Sequence, residues 1–321
     1  MRNRGACLFA LFQFALHMFS THPHGKLLLS GEYAVLDGAV ALAVPVRFGQ
    51  SLTVHRSNNA GLAWKSIDEK GKMWFFTRLS LPDLDTVYGT TDEATARTLQ
   101  RLLQACRKQK PDFLADEIGL EVETRLDFPR KWGLGTSSTL IAALGRWSDT
   151  DAYQLLFETL GGSGYDIACA YAESPIMYQL DEGEPIVEPI NWSPSFADRL
   201  YFVYLGKKQD SREGILRYRD LAKGKTELVE SLSAIGMHMT HASDLETFGA
   251  LLLEHERLVA QALELPMAKD LYFSDYPGEI KSLGAWGGDF VLATGLENDE
   301  QTRAWFHKRG FGVVLGWGEM V

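Results

Sequence analysis

The stretch that decides the fold reads WGLGTSST at residues 132–139, and the apolar run LIAAL follows it at residues 140–144. Gly133 and Gly135 precede consecutive hydroxyl side chains, and the apolar run predicts a helix that begins directly after them. Free backbone N–H groups at a helix N-terminus, with the positive end of the helix dipole behind them, favour a bound anion. The hydroxyls can add a phosphate contact or a magnesium ligand. The stretch therefore predicts a phosphate-binding loop.

The two common nucleotide fingerprints do not fit this loop. The chain has no GxxxxGKS or GxxxxGKT motif, and Ser138 stands where the dinucleotide-binding pattern has Gly or Ala. Alone, the loop would fit a capped helix with a tight entry turn equally well. Two more glycine-bearing stretches favour the phosphate loop over the capped helix. They are GKLLLSGEYAVLDGA at residues 25–39 and KSLGAWGGDF at residues 281–290. The three stretches together indicate a site that handles a triphosphate.

Composition limits the class of protein and of partner. The chain has 321 residues, which favours two domains, and 45% hydrophobic with 23% charged residues is typical of a soluble globular protein. A formal charge of −10 and a pI near 5.3 argue against a nucleic acid or an anionic membrane as partner, because both require a basic surface. We expect a small-molecule substrate, and the sequence does not fix the oligomeric state.

Cysteine usage and the N-terminus bear on location. Cys7, Cys106 and Cys169 are too few and too widely spaced for a disulfide framework or a zinc cluster, so we expect a reducing cytoplasm. Residues 1–17 have an arginine-bearing start and an apolar middle, as a secretory signal has. We interpret them as an upstream extension, with Met18 as an alternative initiator, and a true signal is the alternative.

The patterning predicts an α+β protein without regular βαβ alternation. Apolar spacing predicts helices at Ala94 to Lys108, Asp151 to Leu160 and Leu245 to Leu263, and strands at Leu200 to Leu205, Phe290 to Thr294 and Gly312 to Leu315. The proline-bearing stretch from Glu184 to Pro194 predicts a crossover between domains at residues 18–185 and 186–321. His238, His241 and His255 lack the partners of a metal site, so we expect solvated or core roles.

The phosphate loop resembles the PxxxGLGSSAA motif of the GHMP kinases, the superfamily of galactokinase, homoserine kinase, mevalonate kinase and phosphomevalonate kinase, with Pro129 at the proline position. GKLLLSGEYAVLDGAVALAVP at residues 25–45, GSGYDIACA at residues 162–170 and GAWGGDF at residues 284–290 resemble other motifs of that family. The resemblance implies the two-domain GHMP kinase fold, with a ribosomal-protein-like N-terminal ATP-binding domain and a ferredoxin-like C-terminal domain. It also implies ATP and magnesium as cofactors.

The resemblance implies a role for each motif. Asp166 resembles the catalytic aspartate of mevalonate kinase, which would accept or orient the proton of the acceptor hydroxyl, and Lys26 would keep that carboxylate ionised. The alternatives are a helix N-cap for Asp166 and a surface lysine for Lys26. Ser138 would bind magnesium, and Glu158 is a further candidate ligand. The phosphate loop comprises Gly133, Leu134, Gly135, Thr136, Ser137 and Ser138, and the substrate or phosphate contacts comprise Glu32, Gly284, Ala285, Trp286, Gly287, Gly288 and Asp289.

Two positions depart from the family pattern. Trp286 replaces a small residue and should narrow the acceptor pocket, and Asp289 stands where mevalonate kinases often have glycine. The sequence predicts a magnesium- and ATP-dependent kinase for mevalonate or phosphomevalonate in isoprenoid precursor synthesis. A diphosphomevalonate decarboxylase is an alternative, although its serine-rich segment before the aspartate is not evident. A non-catalytic ATP-binding sensor is the other alternative, and retention of Lys26 and Asp166 argues against it.

Overall fold

The structure, a computed structural model, describes residues 17–116, 119–207, 211–221, 225–284, 286 and 289–321. Of the extension expected at residues 1–17, residues 1–16 and with them Cys7 lie outside the described residues, whereas His17 is the first residue of a strand. So do three positions of the third glycine-rich stretch, Ala285, Gly287 and Gly288.

A mixed sheet forms from the first part of the chain. Its strand order is β6-β5-β4-β7-β3-β8-β9, with β1 and β2 also paired to β3, and among these pairs β4 with β7 is the parallel one. The strands are β1 (His17–Thr21), β2 (His24–Leu28), β3 (Ala41–Arg56), β4 (Leu62–Ile67), β5 (Met73–Leu79), β6 (Thr86–Tyr88), β7 (Leu120–Leu126), β8 (Ile176–Asp181) and β9 (Glu184–Pro189).

The 16-residue β3 organises this sheet because its two halves have different neighbours. Residues 50–56 pair antiparallel with β7, and residues 41–43 pair antiparallel with β8. β2, which carries Lys26, pairs with the middle and first part of β3. The strand with Lys26 is therefore fixed against the centre of the sheet.

A second, antiparallel sheet forms from the later part of the chain, with strand order β11-β12-β10-β13. Its strands are β10 (Leu200–Tyr204), β11 (Ile280–Leu283), β12 (Phe290–Thr294) and β13 (Val314–Gly316). Helices separate β10 from β11 and β12 from β13, whereas β12 follows β11 without an intervening helix. This arrangement agrees with the expected α+β class.

Helices cover both sheets. They are α1 (Glu93–Gln109), α2 (Thr136–Ser148), α3 (Ala152–Thr159), α4 (Tyr165–Tyr171), α5 (Ser211–Leu221), α6 (Lys225–His241), α7 (Leu245–Leu263), α8 (Ala268–Tyr272), α9 (Asp299–Lys308) and α10 (Trp317–Met320). One core packs α1, α2 and α3 against β3, β4, β5 and β7. Another core joins the two parts of the chain, with Leu42 and Leu134 packed in the same cluster as Phe202, Phe248 and Leu252. Within the described residues, no helix is both long and apolar enough to cross a membrane.

Most sequence-based elements are present, and one stretch forms a strand that was not expected. The helix expected from Leu245 to Leu263 and the strand expected from Phe290 to Thr294 have those bounds. The stretch from Glu184 is not simply a crossover, because Glu184–Pro189 forms β9 at the edge of the first sheet. An edge strand tolerates proline, since its outer side needs no ladder N–H. The division into two domains remains a proposal, and the loop between β9 and β10 is its natural boundary.

Candidate active site

A cavity of about 640 Å³ lies where β2, the phosphate loop and the start of α4 meet. Predicted site residues from four separate stretches line it. They are Lys26, Glu32, Gly133, Gly135, Thr136, Ser137, Ser138, Asp166, Gly284 and Asp289. Leu134 lies directly beneath the cavity, fully buried in the core shared by the two parts of the chain.

The phosphate loop needs its glycines. Gly135 is the N-cap of α2 with φ of 97°, and Gly133 has φ of 67°, both in the left-handed region that glycine adopts readily. A Cβ at Gly135 would lie 2.6 Å from Ser138 Oγ, and a Cβ at Gly133 would lie 2.0 Å from Asp289 Oδ2. Glycine at both positions therefore lets the chain turn closely into the first turn of α2, whose residues Thr136, Ser137 and Ser138 line the cavity where free helix amides favour an anion.

Lys26 connects β2 to this loop. Its backbone N–H donates to Leu134 O at 3.0 Å, and its Nζ donates to Gly133 O at 2.9 Å. Burial lowers the pKa of Lys26, but the surrounding Tyr165, Asp166 and Asp289 outweigh burial and raise it above its ordinary value. Lys26 is thus a charged ammonium at neutral pH and is only partly exposed, which does not fit a surface lysine.

Asp166 lies in the first turn of α4, beside Lys26 and Ser138. The N-cap of that helix is Gly164, with φ of 88°, so Asp166 does not have the N-cap role that was its alternative. Burial raises the pKa of Asp166, while Lys26 and the neighbouring Ser138 hydroxyl, which itself donates to Gly135 O at 2.9 Å, oppose the rise. The side chains of Lys26, Ser138 and Asp166 thus form one interacting group at the cavity wall.

Asp289 and the first glycine-bearing stretch complete the lining. The backbone of Asp289 is held by its N–H donating to Lys207 O and its carbonyl accepting from Leu205 N, both at 2.8 Å. Its side chain lies against Gly133, and its negative charge contributes to raising the pKa of Lys26. Tyr33 adds a hydroxyl that accepts a 2.9 Å hydrogen bond from the backbone N–H of Trp286.

Comparison with known proteins identifies this architecture. No protein-family model and no curated protein sequence matches the chain. Solved structures do match over nearly the whole length. Mevalonate kinase of Methanococcus jannaschii has 14% identity and a TM-score of 0.70, with 93% of this chain and 97% of that chain covered. Mevalonate kinase of L. major, solved with R-mevalonate, has 16% identity and a TM-score of 0.66, with 94% and 96% covered.

A third match is phosphomevalonate kinase of Streptococcus pneumoniae, solved with phosphomevalonate and AMPPNP. It has 16% identity and a TM-score of 0.68, with 93% of this chain and 100% of that chain covered. The chain has the GHMP kinase fold.

Within the GHMP kinase fold, two predicted residues lie away from the others. Glu158 is on the outer side of α3, away from the cavity, where it pairs with Lys108 of α1 at 3.1 Å. Trp286 does not line the cavity as expected: its Nε1 donates to Pro266 O at 3.1 Å. The position of Glu158 gives no support to a metal role, and that of Trp286 gives none to a narrowed acceptor pocket.

Sequence reasoning also missed residues that the GHMP kinase fold brings to this region. Lys281, from the third glycine-rich stretch, contacts Glu32, and His255 of α7 lies 3.2 Å from the same carboxylate. His255 was expected to be solvated or in the core, and it is fully buried, while His238 and His241 are at the surface end of α6. The position of Lys281 in a glycine-rich stretch could have indicated a site residue. The residues around His255, in contrast, give no sign that it lies near the site.

Magnesium fits this site with few protein ligands. In the part of the chain that the structure describes, no cluster of three or more His, Cys, Asp or Glu side chains could hold a metal ion. Ser138 and Asp166 offer one hydroxyl and one carboxylate side by side. Because Mg²⁺ usually retains waters and is held by one or two carboxylates plus substrate phosphates, this donor set suits a nucleotide-bound ion rather than a free one.

Proposed function

We propose that the protein is a magnesium- and ATP-dependent kinase that phosphorylates mevalonate or phosphomevalonate. The observation that supports this most is the group formed by Lys26, Ser138 and Asp166 at the N-terminus of α2, in a chain with the GHMP kinase fold. A phosphoryl transfer needs bound phosphates, neutralised charge and a positioned acceptor oxygen, and this group offers all three.

The phosphates would be held by the phosphate loop. The amides of Thr136, Ser137 and Ser138 are in the first turn of α2, where they have no partner inside the helix. Lys26 supplies a permanent positive charge beside them. The glycine cradle, which any Cβ would fill, lets phosphate oxygens approach the backbone. When bound, ATP supplies the transferred phosphoryl group and magnesium neutralises its charge.

The acceptor oxygen would be handled by Asp166. Its carboxylate accepts or orients the proton of the acceptor hydroxyl, and the ammonium of Lys26 favours the ionised form against the rise in pKa that burial causes. For phosphomevalonate, whose attacking oxygen is already anionic, Lys26 carries more of the work than Asp166. The relative losses in Asp166→Asn and Lys26→Met therefore report which acceptor is used.

The test is release of ADP by the purified protein with magnesium and ATP, measured separately with mevalonate, phosphomevalonate, galactose and homoserine. We expect turnover with one of the first two and much less with the others. Measuring carbon dioxide with diphosphomevalonate distinguishes the decarboxylases, whose fold is also similar. Binding of AMPPNP without turnover of either acid would reject the proposed acceptor and favour a sensor.

A further inference from the structure

Asp289 places a carboxylate directly against the phosphate loop. A Cβ added to Gly133 would lie 2.0 Å from Oδ2 and 2.3 Å from Cγ of Asp289, so the carboxylate lies immediately beside the glycine. Asp289 also lines the cavity. An ionised carboxylate accepts hydrogen bonds and has no proton to donate to a phosphate. Asp289 therefore cannot contact a phosphate as the hydroxyls of Thr136, Ser137 and Ser138 can.

The backbone fixes Asp289 in this position. Its N–H donates to Lys207 O and its carbonyl accepts from Leu205 N, both at 2.8 Å, so Asp289 is tied to the segment that follows β10. Asp289 has φ of 42°, a left-handed conformation that costs energy for a residue other than glycine. Backbone strain of this kind is concentrated at functional sites. Glycine would form the same turn without the strain, which indicates that the carboxylate itself has a role.

Two carboxylates act on the ammonium of Lys26. Asp166 and Asp289 both raise the pKa of Lys26, and with Tyr165 they outweigh the effect of its burial. The same ammonium donates to Gly133 O at 2.9 Å, so it also has a backbone partner in the phosphate loop. The positive charge of Lys26 is therefore balanced by carboxylates of the protein before any phosphate binds.

The described charged residues of the cavity do not balance a triphosphate by themselves. Two basic and three acidic side chains line it: Lys26, Arg130, Glu32, Asp166 and Asp289. A bound triphosphate adds several more negative charges, and like charges at short range in a partly closed site repel one another strongly. A divalent cation on the phosphates turns the repulsion from nearby carboxylates into attraction. Charge balance at this site thus favours a nucleotide that carries its metal.

We infer that Asp289 makes the phosphate loop selective for metal-bound nucleotide over free nucleotide. Its carboxylate, held beside Gly133, repels a triphosphate without a metal and favours the same triphosphate when Mg²⁺ is bound to it. This inference rests on the nucleotide and magnesium part of the proposed function. It gives Asp289 a role distinct from that of Asp166, which handles the acceptor. Selectivity of this kind keeps the loop from being occupied by a nucleotide that cannot react.

The experiment measures two affinities of the full chain by calorimetry, for AMPPNP in EDTA and for MgAMPPNP, without an acceptor. The wild type should bind MgAMPPNP much more tightly than free AMPPNP. Asp289→Asn removes the charge and keeps a side chain that tolerates a left-handed backbone. It should bind free AMPPNP about tenfold more tightly than the wild type does, and MgAMPPNP no more tightly. The ratio of the two affinities should therefore fall by about tenfold or more.

Two further variants separate the charge of Asp289 from its shape. Asp289→Gly should lower the affinity ratio as Asp289→Asn does, because glycine adopts a φ of 42° readily. Asp149→Asn is the matched control and should keep the wild-type ratio. Asp149 also has a left-handed φ, 56°, and pairs with Lys110 at 2.8 Å, but it does not line the cavity. As a second readout, magnesium added at fixed AMPPNP should raise the melting temperature of the wild type more than that of Asp289→Asn.

Equal gains in both affinities in Asp289→Asn would overturn the inference, because Asp289 would then only obstruct the loop. An unchanged ratio in Asp289→Asn and Asp289→Gly would overturn it too, as would a wild type that binds neither form of the nucleotide. If the wild type binds MgAMPPNP but turns over neither acid, the proposed acceptors are rejected. The affinity ratio then still decides the role of Asp289, because no acceptor enters that measurement.

Discussion

Lys26 holds the carbonyl oxygens of two consecutive residues in the phosphate loop, Gly133 through its ammonium at 2.9 Å and Leu134 through its backbone N–H at 3.0 Å. One residue thus attaches β2 to the loop by side chain and by main chain. Substituting the side chain removes the charge and one of the two contacts, while the main-chain contact remains. Variants of Lys26 should therefore fold and report on electrostatics.

Lys26→Met and Asp166→Asn should each lower kcat by about a hundredfold or more, the range for losing an electrostatic stabiliser or a general base. Because each residue sets the charge state of the other, the losses should not multiply in the double variant. Steady-state kinetics of the two single variants and the double variant tests this expectation. Multiplying losses would mean that the two residues act independently.

The pH profile of kcat/KM should show an acid limb set by Asp166. The ionised carboxylate is the active form, so the rate rises as pH increases through a pKa that burial holds above the ordinary value of 3.8. Lys26 and Ser138 lower this pKa, so Ser138→Ala and Lys26→Met should move the limb to higher pH. If the acid limb stays at the same pH in both variants, it reports the titration of a group other than Asp166.

Gly135→Ala should weaken binding of MgATP, because the new Cβ would lie 2.6 Å from Ser138 Oγ and the residue has φ of 97°. Gly310→Ala is a matched control: φ is 90° there, and nothing lies within 4 Å of the added Cβ. Both should lose about 1 kcal/mol of stability from backbone strain. Calorimetric titration should detect weaker nucleotide binding in Gly135→Ala alone. Equal nucleotide affinities in Gly135→Ala and Gly310→Ala would mean that the loop does not bind the nucleotide.

Glu158→Gln should leave the magnesium requirement unchanged, because the side chain is exposed and paired with Lys108 away from the cavity. Loss of such a surface pair costs little stability, about 0–1 kcal/mol. Ser138→Ala, in contrast, should raise the magnesium concentration needed for half-maximal rate. Titrating magnesium at fixed ATP compares the two, and a shift in Glu158→Gln would return that residue to the list of metal ligands.

Sequence patterns identified the parts of the site that are local in the chain. Helix α2, which contains Ser138, and the glycine turn before Asp166 are both determined by residues that are neighbours in the sequence. The local residue pattern was therefore enough to predict where they lie. The contacts of His255 and Lys281 with Glu32 were not foreseen, because they arise only where α7 and β11 pack against the turn after β2. The direction of Glu158 depends on how α3 packs on α1, which the sequence near Asp166 does not encode.

Strand β3 has a consequence for how the chain folds. Its residues pair with segments far along the sequence, such as Val54 with Val122 and Leu42 with Met177, as well as with the preceding β1 and β2. Non-local pairing of this kind gives a high contact order, and closing such long loops slows folding. During synthesis β3 emerges after β1 and β2 but well before β7 and β8, so the sides of β3 that pair with β7 and β8 stay unpaired until those strands appear. Newly made chains are therefore most exposed to aggregation in that interval.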